Sequence, residues 1–447
     1  MRHSFRNSAY SLILLVAGLL PAALFAQTFQ GKISNLRAYD KTGINVFETS
    51  KSDSIPFDGV RLRIGGAFAQ EFQGLKDQNS TTTGKIPGMP LYGITPGFNT
   101  AMANLFTDVQ LADGIRLNLT VYLSTEHHNE TWVKGGYLQF DKLPFKGEFW
   151  DRLMKHTTIK IGDMEINYGD DHFRRTDAGQ AIYNPFTEGN IVDAFATETG
   201  GEVYYHKNAF FGMAGLTDGM IHGSIDSTTS TPQAGVIHKS PAIYGKLGFD
   251  KQVSDITRIR LSASYYHEGS SPSNDLYFGD RAGSGYFMVM EKPYVVPPSG
   301  EGVYEADAFS GRLNPGFSYK VDAMMLNGFV KFHGLELYGT LEHAQGKTST
   351  ETSSRQFNQY AANGVYRFGK DENLFVGLRY NSVTAELKGF ASPVTINRTA
   401  ASAGWFLTKN ILMKGEYVTQ SYLDFPVTDF RNSGKFDGYV VVATIGF

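Results

Sequence analysis

The side chains in this sequence that could do chemistry include a set of bases at alternating positions, most of them between apolar neighbours. Arg61, Arg63, Arg116, Lys246, Arg258, Arg260, Lys331, Arg367, Arg379, Arg398 and Lys414 form this set. Asp108, Asp250, Glu336, Glu342 and Glu416 occupy equivalent positions in smaller number. Neighbouring side chains of an extended chain point to opposite sides, so these groups share a wet face whose reverse is dry. A surplus of fixed positive charge on such a face attracts anions and orders dipoles. One stretch is denser, running through Asp170, Asp171, His172, Arg174, Arg175, Asp177, Glu188 and Asp193 around Tyr183, Asn184, Pro185 and Phe186. Its acids outnumber its arginines.

Bond-breaking chemistry has weaker support. Glu126, His127, His128, Asn129 and Glu130 are metal-ligand types, but adjacent strand residues diverge and the stretch reads as a surface loop. No Gly-x-Ser-x-Gly elbow occurs, and Gly346-Lys347-Thr348 has Leu at position 341 where a phosphate-binding loop needs Gly. The chain has no Cys, which excludes disulfides, iron–sulfur clusters and thiolate zinc sites. No metal, cofactor or catalytic residue is expected. A net charge of −3 provides no global basic surface for nucleic acid.

The elements that carry these residues are strands. Gly accounts for 49 of 447 residues and aromatics for 13%, while charged residues are only 19%, against roughly 25% in ordinary soluble proteins. Arg2 and Arg6, the apolar run Leu12 to Leu20, Pro21 and the small residues Ala22, Ala23 and Ala26 form a secretory signal over 1–26. Nothing later reaches the ~18 consecutive apolar residues of a spanning helix, so the exported chain is either soluble or a barrel. Residues 27–58 read as a periplasmic lead-in. Alternating segments are expected near 59–72, 98–111, 115–124, 131–140, 157–168, 198–207, 209–217 and 240–250. Eight more follow near 256–267, 319–332, 335–345, 355–368, 373–385, 394–407, 410–422 and 434–447.

The connections choose the barrel. Alternate turns are tight, as at Ala112-Asp113-Gly114, Lys207-Asn208 and His333-Gly334, whereas 73–97, 169–197, 218–239 and 268–318 are long and polar. Short turns at one end and long loops at the other mark a transmembrane antiparallel β-barrel. Sixteen strands are expected, with fourteen or eighteen as alternatives. Within the turn between the fourth and fifth strands, 148–154 reads as a short interfacial helix. In the last segment Tyr439, Val441, Ala443, Ile445 and the terminal Phe447 share one face, resembling an outer-membrane assembly signal.

In this architecture, over about 59–447, the chain resembles the sixteen-stranded general or phosphate-selective porins of the bacterial outer membrane. The resemblance implies a water-filled channel for passive diffusion of small hydrophilic solutes or ions. It also implies outer-membrane lipid and the barrel-assembly machinery as partners, and a homotrimer. Small residues Gly65, Gly66, Ala67 and Ala69 on the first strand would admit a neighbouring barrel. It further implies that the third loop, 169–197, folds inward as the pore constriction. A basic lumen wall, led by Arg61, Arg63, Arg116, Arg258, Arg260 and Arg379, would then face an acidic loop across the pore. The expected outcome is a transverse field and mild anion preference. The alternative reading is a barrel hydrolase or protease, or a surface-binding barrel.

Overall fold

Every strand edge exposes unpaired backbone N–H and C=O groups, and closing a sheet on itself removes both edges. The computed structural model has this closure. It describes residues 33–49, 51, 56–84, 90–99, 101–124, 130–219, 238–278, 281–292 and 310–447. The signal segment, Glu126 to Asn129 and the prolines Pro293, Pro297 and Pro298 lie outside the described residues.

The strand segments are β1 (Arg61–Gln78), β2 (Gly97–Phe98), β3 (Met102–Ala112), β4 (Ile115–Ser124), β5 (Glu130–Phe140) and β6 (Thr157–Glu165). Next come β7 (Thr197–Lys207), β8 (Phe210–Thr217), β9 (Ala242–Ser254), β10 (Thr257–Glu268), β11 (Lys320–Phe332) and β12 (Leu335–Lys347). The last are β13 (Arg355–Phe368), β14 (Leu374–Ala385), β15 (Val394–Thr408), β16 (Ile411–Leu423) and β17 (Lys435–Gly446). The short β2 pairs with β1 beside β3, so β2 and β3 form one interrupted stave. Each stave pairs antiparallel with the next, and β17 returns to β1 in the register Ala67 to Gly446. The result is the expected sixteen-stranded closed antiparallel barrel. The tight turns use left-handed backbone at Gly114 (φ 73°) and Asn208 (φ 58°), where glycine and asparagine cost least.

The outer face is apolar around the whole wall. Leu62, Ile64, Leu105, Val203, Leu247, Leu261, Leu326, Leu341, Leu378 and Val441 are all exposed there. The expected short helix is present as α1 (Glu148–Met154), with Phe149 and Leu153 exposed and Trp150 packed on Phe145 and Phe149. The inner face departs from expectation. On β13 to β17 it carries Phe357, Val383, Ile396, Val418, Phe436, Val440 and Val442, all buried. These strands therefore carry buried apolar side chains inside as well as apolar ones outside, interleaved on the inner face with Arg379, Arg398 and Lys414, because inserted chain and not water covers that face.

The small residues of β1 serve the same packing. Gly65, Ala67 and Ala69 alternate inward, and a side chain at Gly65 would run into the Tyr39 ring. A side chain on Gly179 of the third loop would strike the backbone at Ala67 and Ala103. Gly66 points outward beneath the Phe447 ring. The expectation that these residues admit a neighbouring barrel is corrected: they let the inserts and Phe447 approach the wall.

Phe447 extends the closing seam by one residue. Its N–H donates to the Gly66 carbonyl and its carbonyl accepts from the Gly66 N–H, each at 2.9 Å. Deleting Phe447 removes this last pair and its ring, and should lower the yield of heat-modifiable barrel on gels. An unchanged yield would show the seam closes without it. Leu341→Arg places a charge on the outward face in mid-strand and should cost about 2–4 kcal/mol in refolding titrations into bilayers.

Candidate functional site

The lumen is built from three inserts. The first is the segment 33–49, which the sequence reading set before the barrel and which instead packs against the inner wall. Here it is termed the strap. Tyr39 donates to Asp108 at 2.9 Å and stacks on Phe106 with centroids 3.9 Å apart. Arg37 donates to the carbonyls of Gly43 (2.9 Å) and Phe173 (2.8 Å) and lies 3.6 Å from the Tyr183 centroid. Asn45 donates to Glu336 at 2.6 Å.

The second insert is the third loop. From Thr176 to Ala196 nearly every residue is buried inside the barrel. Side chains of the wall take up its backbone groups. Lys414 Nζ donates to the carbonyls of Ala181 (3.0 Å), Asn184 (2.8 Å) and Phe186 (2.7 Å). Asn381 and Gln359 accept from the N–H groups of Ile191 (2.7 Å) and Val192 (2.9 Å). Such pairing is required where a loop loses water. The third insert comes from the described parts of 269–318. There Tyr286 donates to Glu416 at 2.6 Å, Ser284 to Glu188 at 3.0 Å and Arg312 to Asp193 at 2.8 Å.

Charge pins the first two inserts to one wall. Lys246 on β9 and Arg260 on β10 meet Glu48 of the strap at 3.3 and 2.7 Å, and Asp170 of the loop at 3.1 and 2.8 Å. Ser262 adds a hydrogen bond to Asp170 at 2.7 Å. Burial alone would raise the Glu48 pKa, but Lys246 and Arg260 outweigh it and hold Glu48 at about 2. Burial likewise opposes ionisation of Asp170, yet the same two bases keep it below the ordinary carboxylate range. Glu188 differs: burial raises its pKa despite Arg398 at 2.7 Å. Asp171, held by Tyr338 (2.6 Å) and Thr340 (2.7 Å), is also raised by burial.

The residues singled out in the sequence thus come together, but not across an open gap. Arg175 bonds Asp193 at 2.6 Å and also pairs with Asp177. Arg174 reaches Asn45 and Glu336, and His172 lies between Glu165 and Asn167. On the wall, Arg63 meets Asp108 (2.7 Å), Arg116 meets Asp141 (2.7 Å), Arg258 meets Asp250 (2.6 Å) and Arg367 meets Glu336 (2.8 Å). Lys331 pairs with Glu372 at 2.8 Å. Arg61 pairs with Asp58 at the turn end. Arg379 donates to the Glu188 carbonyl at 2.5 Å. A transverse field from unpaired wall bases to loop acids is therefore corrected: these charges meet in contact and act as anchors.

Space remains beside the inserts. A cavity of about 230 Å³ lies between the strap, the loop and β3 to β7. It is lined by Tyr39, Phe106, Lys134, Tyr137, Lys160, Phe195 and Tyr204, among others. A second space of about 810 Å³, bordered by Asn45, Arg258, Lys331 and Arg367, lies at the turn end. Sequence reasoning passed over the strap, Lys134 and Lys160. Lys160 was legible, because it alternates inward with Thr158 between Ile159 and Ile161. Lys134 was not, because the register of β4 and β5 slips at Thr120/Val121 and skips it. Among the described residues no cluster of three or more His, Asp or Glu is arranged to hold a metal.

No known family profile matches this sequence, and no curated protein matches it. Solved structures match in shape. The anion-selective porin from Comamonas acidovorans is similar with a TM-score of 0.51 and 11% identity, over 87% of this chain and 100% of that one. OmpT, an outer membrane protein of Vibrio cholerae, gives 0.48 and 11% over 89% and 100%. The outer membrane channel DcaP of Acinetobacter baumannii gives 0.48 and 12% over 88% and 99%.

Two outcomes test the pinning. Glu188→Ala leaves Arg398 buried without its partner, a change that costs about 3–5 kcal/mol. It should expose the loop to limited proteolysis in refolded barrels, and the double change with Arg398→Met should restore part of the protection. The second concerns pH. The folded pKa of Glu48 is depressed, so its contribution is present above the ordinary value near 4.5 and is lost as pH falls toward about 2. Hydrogen exchange of the strap should therefore stay slow at pH 5 and accelerate only below about 4. Loosening already at pH 6 would contradict the assignment.

Proposed function

We propose, from the porin fold just established, that this chain is an outer-membrane channel for passive diffusion of small hydrophilic solutes or ions, and not an enzyme. The observation that supports this reading is the combination of a closed barrel, apolar on its outer face, with polar space left beside the inserted third loop. In this reading the apolar face meets lipid, and the tight turns and chain ends face the periplasm. Asp170, Asp171, His172, Arg174, Arg175, Asp177, Glu188 and Asp193 shape the constriction by holding the loop in place. The strap and the third insert narrow the lumen further, so conductance is small for a barrel of sixteen strands. Mild anion preference remains part of the proposal, but its support moves from the paired wall arginines to Lys160. Assembly as a homotrimer stands on the resemblance alone, since the small residues of β1 face other groups.

Single-channel recording in planar bilayers with a salt gradient tests this. Small, discrete steps with a reversal potential slightly on the anion side are expected. Shortening the loop by removing 178–190 should raise the step size while the barrel stays heat-modifiable. Absence of steps from correctly folded barrel would overturn the channel reading, and strong cation selectivity would overturn the ion preference.

A further inference from the structure

We infer that the cavity between strap, third loop and β3 to β7 binds a small planar organic carboxylate, of the benzoate class, with Lys160 as the cation that receives it. The inference deepens the channel reading by naming a ligand for the same lumen.

Lys160 is a cation of this cavity that makes no contact ion pair, although Glu202, Glu48 and Glu165 act on it at longer range. It alternates inward on β6, with Ile161 exposed on the opposite face. Its ammonium lies 5.0 Å from the centroid of Tyr137 and 4.9 Å from that of Tyr204. It makes no hydrogen bond or ion pair with any described residue. Most other charges of the lining are engaged in contacts. Arg37 caps strap and loop carbonyls, Lys134 pairs with Asp177, and Arg175 bonds Asp193. Glu48 is held by Lys246 and Arg260, and Glu165 by His172. Asp163, opposite Gly136 and Thr199 in the sheet, also lines the cavity, and one of its carboxylate oxygens is buried without a hydrogen bond. Two aromatic faces partly offset the desolvation of the Lys160 ammonium. A carboxylate would complete it with a charge-assisted hydrogen bond, which is stronger than a neutral one.

The remaining surfaces set the rest of the ligand. The Tyr137 hydroxyl makes no hydrogen bond among the described residues and can donate to the same carboxylate. The parallel pair Tyr39 and Phe106, 5° from coplanar, forms a flat wall, and Phe195 adds another apolar face. Such faces favour a ring by stacking or edge contact. Volume limits the size. A cavity of about 150 Å³ accommodates benzene, so the 230 Å³ here has room for a ring and one carboxylate, about nine or ten non-hydrogen atoms. A disaccharide does not fit, and an organic cation would meet Lys160 as a like charge.

The test is titration of the full refolded barrel in detergent with sodium benzoate, followed by calorimetry. Saturable binding at one site is expected. Lys160→Met should weaken it by about tenfold or more, the loss associated with a charged hydrogen bond, while Lys160→Arg retains most of it. Tyr137→Phe should weaken it less and keeps a variant available should Lys160→Met fail to give heat-modifiable barrel. No saturable binding would overturn the inference, as would equal affinity in folded Lys160→Met and Tyr137→Phe, or benzylamine binding as tightly as benzoate. Because binding is read without current, barrels that bind benzoate but never conduct would refute the channel reading alone. Barrels that conduct but never bind would refute this inference alone.

Discussion

Four buried charges organise this barrel. Lys246 on β9 and Arg260 on β10, four residues apart in the register, are shared between Glu48 of the strap and Asp170 at the root of the third loop. Two positive and two negative groups cancel within one contact shell, so neither insert can leave without exposing unpaired charge in a poorly hydrated space. Buried pairs of this kind add little net stability over an apolar packing, but losing one partner is costly. Their effect is to select one arrangement of two mobile segments out of many. The hydrogen bonds of Lys414, Arg379 and Arg398 to loop carbonyls and to Glu188 continue that selection on the opposite wall.

The inner apolar residues of β13 to β17 depend on it. Phe357, Ile396, Val418 and Phe436 would face water in an empty barrel, an unfavourable exposure of roughly 1.5–3 kcal/mol for each such side chain. With loop and third insert seated, they join a core that includes Ile182, Phe186, Ile191, Val192, Tyr286 and Leu313. Charge sets where the inserts sit, and apolar burial supplies the driving force that keeps them there. The small residues Gly65, Ala67 and Gly179 matter because backbone must approach backbone for this packing to close.

The proposed passage is what this packing leaves over. The cavity that would carry it lies beside β3 to β7, whereas inserts and wall interlock along β13 to β17. Pairing of the wall arginines shifts attention from their number to the few charges with no internal partner. In a lumen of low effective dielectric one such charge outweighs many compensated ones.

Much of the fold was legible in the sequence. Period-two alternation, sorted turns and loops, and a terminal aromatic strand lead to sixteen staves, most of them within a few residues of their observed ends, because side-chain alternation is a local property of extended chain; β1 runs on to Gln78, into the stretch expected as a loop. The inward facing of Arg116, Arg260, Arg398 and Lys414 follows from the same parity. The short helix at 148–154 was also readable from its aromatic and charged run. Parity does not say what lies opposite a side chain. The eleven wall bases looked like the source of a field because sequence gives no distance between Arg398 and Glu188, 210 residues apart. Nor does it show that Glu48, in a polar stretch without period, enters the lumen. The register slip that turns Lys134 inward is decided by pairing with a neighbouring strand. Which charges cancel, which glycines admit backbone, and that Lys160 enters the cavity without a contact partner are relations between distant segments, and only closing the sheet around its inserts settles them.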